Sequence, residues 1–169
     1  MGFIIQPARI PNDIDEVRKL FKEYQDWLQV DLWFQGFDEE LASLPGKYSE
    51  PNGTILLVWE GKGIAGGVAL RPLENKICEM KRLFVREQWR GNGLGEKLVK
   101  EIIRFAVTAG YLKIRLDTET RLEKAIELYQ KFKFVTIEKY NNSFTCDFYT
   151  FILSKLLLAL LFLSMLFRH

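Results

Sequence analysis

A mixed α/β sheet with helices on both faces is the fold class this sequence predicts. Three observations carry it. Short apolar segments that read as strands are interleaved with segments of 3.6-residue periodicity, in the order β-α-α-β-β-β-α-β-α-β-β. A glycine-rich turn, "RGNGLG" at 90–95, joins one of those strands to a helix. The chain has 169 residues, 48% apolar and 27% charged, enough for one sizeable core, and it shows neither an internal repeat nor a long linker.

Each element has its own signal. "FIIQPARI" at 3–10 reads as a strand interrupted at Pro7. Asp13, with Glu16 three residues on, resembles a capping box. Ile14, Val17, Leu20, Phe21, Tyr24 and Leu28 follow at helical spacing, which predicts a helix over 13–30. A short helical piece at 38–44 stops at Pro45-Gly46. "TILLVWE" at 54–60 and "IAGGVALRP" at 64–72 make a hairpin around the turn 61–63. "KICEMKRLFV" at 76–85 is the fourth strand. Strict alternation along it places Cys78, Met80, Arg82 and Phe84 on one face, and Ile77, Glu79, Lys81, Leu83 and Val85 on the other. Leu94, Leu98, Ile102 and Ala106 form the stripe of a helix over 94–109, capped by Gly110. A strand at 112–118 follows, then a helix striped by Leu122, Ala125, Ile126, Tyr129 and Phe132. Strands within "FKFVTIEKY" and "CDFYTFILS" close the sheet at 154.

Composition excludes several functions. A net charge of +2, from 24 basic and 22 acidic residues, lacks the basic footprint of a nucleic-acid binder. The two cysteines, Cys78 and Cys146, have no metal-ligand spacing, and the one histidine is the last residue, His169. Neither a zinc site nor a histidine-based triad is expected, and no metal cofactor. No basic-then-apolar leader opens the chain, so a reduced, cytoplasmic protein is the expectation.

A strand, a glycine-rich turn and a helix together make an anion site. The first turn of a helix carries N–H groups without intrahelical acceptors and the positive end of the dipole. Glycines remove side chains that would hold a phosphate away. Arg90 adds a cation, with Lys97 and Lys100 close behind in sequence. A merely tight turn needs one glycine, and three stand here. The P-loop pattern is absent, and counting GxGxxG from Gly91 puts Glu96 where the third glycine belongs. Asp117 ends the next strand, the place of a ribose-binding acid, but a dinucleotide fold opens with its glycine turn and this one does not.

"LFVREQWRGNGLGEKLV" closely resembles the pyrophosphate motif of the GNAT superfamily of acyl-CoA N-acyltransferases, Gln/Arg-x-x-Gly-x-Gly/Ala, met by Arg90, Gly93 and Gly95. Downstream, "AIELYQKFKFV" resembles that family's A-x-x-L-Y-x-K-x-G-F segment. The resemblance covers about residues 3–153, and the two motifs in this order carry it. It implies a mostly antiparallel mixed sheet whose fourth and fifth strands splay apart around acetyl-CoA. It implies that the backbone of Leu83, Phe84 and Val85 pairs with the acetyl and pantetheine amides. The N–H groups of Gly91, Asn92, Gly93, Leu94, Gly95 and Glu96 would then hold the pyrophosphate. Transfer would run by direct attack in a ternary complex.

The resemblance also implies roles. Tyr129 occupies the tyrosine of the L-Y pair and is the candidate general acid for the leaving thiolate. Spacing alone reads it equally as an aromatic on an apolar stripe. Glu79 is the candidate base, with a plain ion pair as the equal alternative and a water relay as a third route. An oxyanion would be met by the N–H of Val85. One departure stands out. Lys133 replaces the family's turn glycine, where a left-handed conformation costs a lysine about 1–2 kcal/mol.

The expected acceptor is a small-molecule primary amine or an amino acid. A peptide or protein amine stays open, as does a non-catalytic acyl-CoA-binding member of the same fold. Aromatics Tyr24, Trp27, Trp33, Phe34 and Phe37, with acids Asp26, Asp31, Asp38, Glu39 and Glu40, would suit a cationic amine if they formed one rim, though core aromatics beside a solvated acidic surface is the stronger reading. Residues 1–154 read as the N-acetyltransferase domain and 155–169 as an apolar extension. Its twelve uncharged residues, 156–167, make about 18 Å of helix against about 30 Å of hydrocarbon. A packed helix, on the domain or on a second copy of the chain, and a non-native extension rank above a membrane anchor.

Overall fold

The computed structural model describes residues 2–29, 36–137 and 148–154. Asp31, Trp33, Phe34, Cys146 and the apolar extension lie outside them, as do the expected ends of the strands over 138–147.

Among the described residues seven strands form one sheet in the order β1-β2-β3-β4-β5-β7-β6. They are β1 (Phe3–Pro7), β2 (Thr54–Glu60), β3 (Gly63–Pro72), β4 (Ile77–Val85), β5 (Lys113–Glu119), β6 (Val135–Ile137) and β7 (Phe148–Ser154). Among the described residues four α-helices cover it: α1 (Ile14–Leu28), α2 (Phe37–Ser43), α3 (Leu94–Thr108) and α4 (Glu123–Lys131). The sheet separates two apolar layers. Val17, Leu20 and Phe21 of α1 pack with Phe37 and Leu41 of α2 against Leu57, Ala69 and Phe84. Leu98, Ile102 and Ala106 of α3 pack with Tyr129 of α4 against Val68, Met80, Leu116 and Phe151. Each helix buries one stripe, as its periodicity requires.

All neighbouring strands run antiparallel except β4 and β5, which are parallel. That pairing joins only Ile77–Glu79 to Lys113–Arg115. Beyond Glu79 the two strands part, while β5 stays paired with β7 along its whole length. The expected splay is therefore present, and it turns the far halves of β4 and β5 into the walls of a cleft.

Two local expectations are corrected. The capping box does not form. The Asp13 carboxylate makes no cap bond to α1 and instead accepts from the Arg9 N–H at 2.7 Å and from its guanidinium at 2.9 and 3.0 Å. A bidentate charged partner outcompetes a single backbone donor. Strict alternation along β4 also fails. Gly67 pairs with Phe84 and Ala69 with Lys81, so Val68 alone faces both Arg82 and Leu83. Arg82 is the extra residue of a bulge, at φ +59°. The faces swap there. Glu79 and Lys81 share the α1–α2 side with Phe84, and Met80 shares the α3–α4 side with Leu83 and Val85. Gly66 and Gly67 permit this close strand approach. A Cβ on Gly66 would lie 2.4 Å from the Phe84 carbonyl oxygen.

Candidate active site

The glycine turn delivers the chain from Val85, through one 3-10 turn at Glu87–Trp89, into α3. Gly91 and Gly93 stand at φ +82° and +69°, a region that favours glycine. Open space surrounds the position of a Cβ at either residue. No side chain caps α3, so the N–H groups of its first turn face outward from the positive end of the helix. The Asn92 side chain folds back to donate to the Trp89 carbonyl at 2.9 Å, which stiffens the turn. A Cβ on Gly95 would sit 3.6 Å from Leu128, so α4 lies against the start of α3 there. The Glu96–Lys131 ion pair, at 2.7 Å, fastens the same two helices.

That docking brings Tyr129 beneath the gap between β4 and β5. A cavity of about 70 Å³ lies there. Its walls are Met80, Lys81, Arg82 and Leu83 of β4 and Leu116, Asp117 and Thr118 of β5. Tyr24 and Trp27 of α1 close one side, and Leu122, Ala125 and Tyr129 the other. Tyr129 is buried, with its ring 5.9 Å from Phe134 and 6.0 Å from Phe151. Burial pushes its phenol above the ordinary tyrosine range, so it is protonated at neutral pH.

The carboxylates and cations beside the cavity are paired. Glu79 is buried, accepts from Arg71 Nε at 2.7 Å and has its other oxygen 3.9 Å from Lys81 Nζ. Arg82 donates to Glu40 of α2 through Nε at 3.1 Å and Nη2 at 2.6 Å, and Glu40 also accepts from the Tyr48 hydroxyl. Despite its own desolvation, those bonds hold the Glu40 carboxyl below its usual range. Thr150 donates to Asp117 at 2.6 Å. Burial is the largest influence on Lys81, and its ammonium is lowered to about 8, with Arg82 and Arg71 adding to the shift and Glu79 and Glu40 opposing it.

The chain is similar to proteins whose class is named. The model of the acetyltransferase (GNAT) family matches residues 14–134. The chain belongs to the GNAT acetyltransferase family. An uncharacterised N-acetyltransferase of Schizosaccharomyces pombe is 42% identical over 141 residues, covering 82% of this chain and 86% of that one. Among solved structures, a GNAT acetyltransferase of Staphylococcus aureus superposes with a TM-score of 0.76 at 20% identity, covering 91% of this chain and 99% of its own. A Vibrio cholerae spermidine N-acetyltransferase, solved with CoA and spermine, gives 0.70 at 15% identity over 93% and 98% of the two chains. The protein is thus an acyltransferase of the N-acetyltransferase class.

In this GNAT chain the residues singled out by sequence gather unevenly. Leu83 and Tyr129 meet at the cavity. Glu79 does not line it, and stands behind Lys81 on the same face of β4. Arg90 turns away from the helix start. Its Nε donates to the Val85 carbonyl at 3.0 Å and its guanidinium lies 4.9 Å from the Trp27 ring centre, with Phe84 5.8 Å away. Phe84 belongs to the α1 layer, so only its backbone faces the cleft's edge. Asp26, Asp38 and Glu39 are exposed and Glu40 is bonded to Arg82, so among the described residues the acids form no rim. Sequence reasoning missed Lys81, Arg82 and Asp117 as cavity walls. The one available signal was the Gly66-Gly67 pair, which marks a bulge in the facing strand.

A larger cavity, about 530 Å³, lies toward the opposite end of the sheet among Pro7–Ile10, Pro45, Tyr48–Glu50 and Thr54–Ile55, away from the glycine turn. Among the described residues no cluster of His, Cys, Asp or Glu gathers as a metal site, and no helix is long and apolar enough to cross a membrane.

Proposed function

We propose that this protein moves the acetyl group of acetyl-CoA to the primary amine of a small molecule or amino acid, by direct attack in a ternary complex. The observation that carries the reading is the convergence of three features: the uncapped start of α3, the parting of β4 from β5, and a buried tyrosine beneath the gap. The fit to acetyl-CoA is chemical. Outward N–H groups with no side chain above Gly91 and Gly93 suit a diphosphate. A strand edge freed beyond Glu79 suits the amides of a pantetheine arm, through Leu83, Phe84 and Val85.

In this reading the glycine turn anchors the diphosphate with the N–H groups of Gly91 to Glu96. Arg90 holds Val85 in place from the other side of the strand. The N–H of Val85 meets the oxyanion as the amine attacks. Tyr129 protonates the departing thiolate. Glu79 enters through its neighbours, as the buried charge that governs the proton leaving the acceptor amine. CoA bound to the spermidine enzyme of the same fold supports the cofactor, and that enzyme's substrate supports a small amine acceptor.

The test is a panel of small amines and amino acids incubated with acetyl-CoA, read by release of the CoA thiol. At least one acceptor is expected to release thiol at a rate that falls about 10²–10⁴-fold in Tyr129→Phe. No release with any acceptor, from protein that binds acetyl-CoA, would favour a carrier of acyl-CoA over an enzyme.

A further inference from the structure

The bulge in β4 does more than bend the strand. It turns Arg82 toward α2, on the side where Lys81 already lies, and both residues stand among the cavity's walls with Met80 and Leu83. The two cations then diverge. Arg82 is committed to Glu40 through two bonds and lies against the Phe37 ring, 5.1 Å from its centre. Lys81 reaches back toward Glu79, which is itself held by Arg71. The Lys81 side chain is 12% exposed, and Lys81 is one of the cavity's wall residues. Glu79, at 2% exposure, is not among them.

We propose that Lys81 is the base of the acetyl transfer, taking the proton from the acceptor's ammonium, with Glu79 as the positioning residue behind it. The assignment rests on the acetyltransferase reading and deepens it. Neutral Lys81 takes one proton from the bound ammonium and becomes an ammonium 3.9 Å from the Glu79 carboxylate, which stabilises it. The freed amine attacks the thioester carbonyl. A C–N bond forms, the C–S bond breaks, and Tyr129 gives its proton to sulfur. The nitrogen's second proton restores Tyr129, and Lys81 loses its own to solvent.

The charge environment fits a lysine that is neutral often enough to work. Burial and the guanidinium groups of Arg82 and Arg71 disfavour its ammonium, while Glu79 and, from α2, Glu40 favour it. Asp117 of β5, Tyr24 of α1 and Tyr129 of α4 complete the groups that face the cavity. The outcome is a value of about 8.

The experiment is pulse labelling of the full chain with deuterated acetic anhydride from about pH 6 to pH 11, read lysine by lysine in peptide mass spectra. Only the neutral amine reacts, so each rate profile gives that lysine's titration. The exposed Lys47 and Lys62 serve as references. Lys81 is expected to reach half its maximal rate near 8, where a free lysine side chain, at about 10.4, is still almost wholly protonated. Calorimetry with acetyl-CoA, and thiol release by Lys81→Met and Lys81→Arg, complete it. Both variants are expected to bind acetyl-CoA as the wild type does and to lose about 10²–10⁴-fold in kcat/KM. The wild-type profile of kcat/KM should rise with pH to a plateau above 8. A Lys81 that titrates with the surface lysines, or a Lys81→Arg enzyme of full activity, overturns the assignment alone. A wild-type protein that fails to bind acetyl-CoA overturns the acetyltransferase reading, and the assignment with it.

Discussion

Tyr129 owes its place to the turn that follows it. Lys133 stands at φ +66°, and its N–H bonds the Gln130 carbonyl while that of Phe134 bonds the carbonyl of Tyr129 itself. This is a Schellman closure of α4 with a lysine where glycine fits best. The strain expected at this position is therefore present, and the turn forms regardless. Lys133→Gly should stabilise the protein by about 1 kcal/mol. Relief of about 1–2 kcal/mol of left-handed strain is offset in part by the freer unfolded chain. A urea midpoint checks this, and an unchanged or lower midpoint would contradict it. Tyr129→Phe should leave acetyl-CoA affinity within about twofold while slowing turnover, because it removes a proton donor and keeps the ring among Phe134 and Phe151. Tyr129 was legible because it sits in a motif. Lys81 was not, because alternation sets it beside Glu79 but nothing local shows that β4 and β5 part at that point. A period-2 reading assigns every later residue of the strand to the wrong side once the bulged Arg82 is inserted.

The elements were easier to read than their junctions. Helices and strands announce themselves through period, and α3 lies within one residue of its expected span of 94–109. The capping box at Asp13 failed because Arg9, four residues upstream, offers a better partner, and no local pattern ranks those two bonds. Docking of α2 on β4 was equally hidden, since it hangs on a bond between Arg82 and Glu40 across 42 positions. With the Arg82 side chain 3% exposed, Glu40→Ala should cost about 3–5 kcal/mol by removing the carboxylate that offsets a buried guanidinium. Thermal unfolding measures it, and a loss below about 1 kcal/mol would mean that the pair is effectively solvated. Gly66→Ala tests the strand junction. Its Cβ would fall 2.4 Å from a backbone oxygen, so β3 and β4 must move apart and stability should drop by more than about 2 kcal/mol. The same shift should reopen the bulge and disturb Lys81 and Arg82 together.

The molecule as a whole is a sheet held open on one side. β4 is fixed to β3 by the glycine pair, and β5 to β7 by seven residue pairs, while only three pairs join β4 to β5. Two firmly built halves with a weakly joined seam give a cleft that needs no folding of its own when a ligand enters. The glycine turn stands at the end of one half and Tyr129 beneath the seam, so one extended molecule can touch both. That arrangement was legible in outline from two motifs and their order. The cavity was not, because its walls come from four elements distant in sequence.

Titration of acetyl-CoA into the full chain, followed by heat, is the decisive test of the site at the start of α3, with Gly93→Glu as the control. Open space surrounds the Cβ position at residue 93, so the variant should fold with only the left-handed strain of about 1–2 kcal/mol. Its carboxylate would stand among the N–H groups meant for a diphosphate. One-to-one binding by the wild type with a micromolar Kd, lost in the folded variant, is the expected result. Equal binding by both would move the ligand away from the start of α3, and no binding by a folded wild type would contradict the acetyl-CoA site altogether.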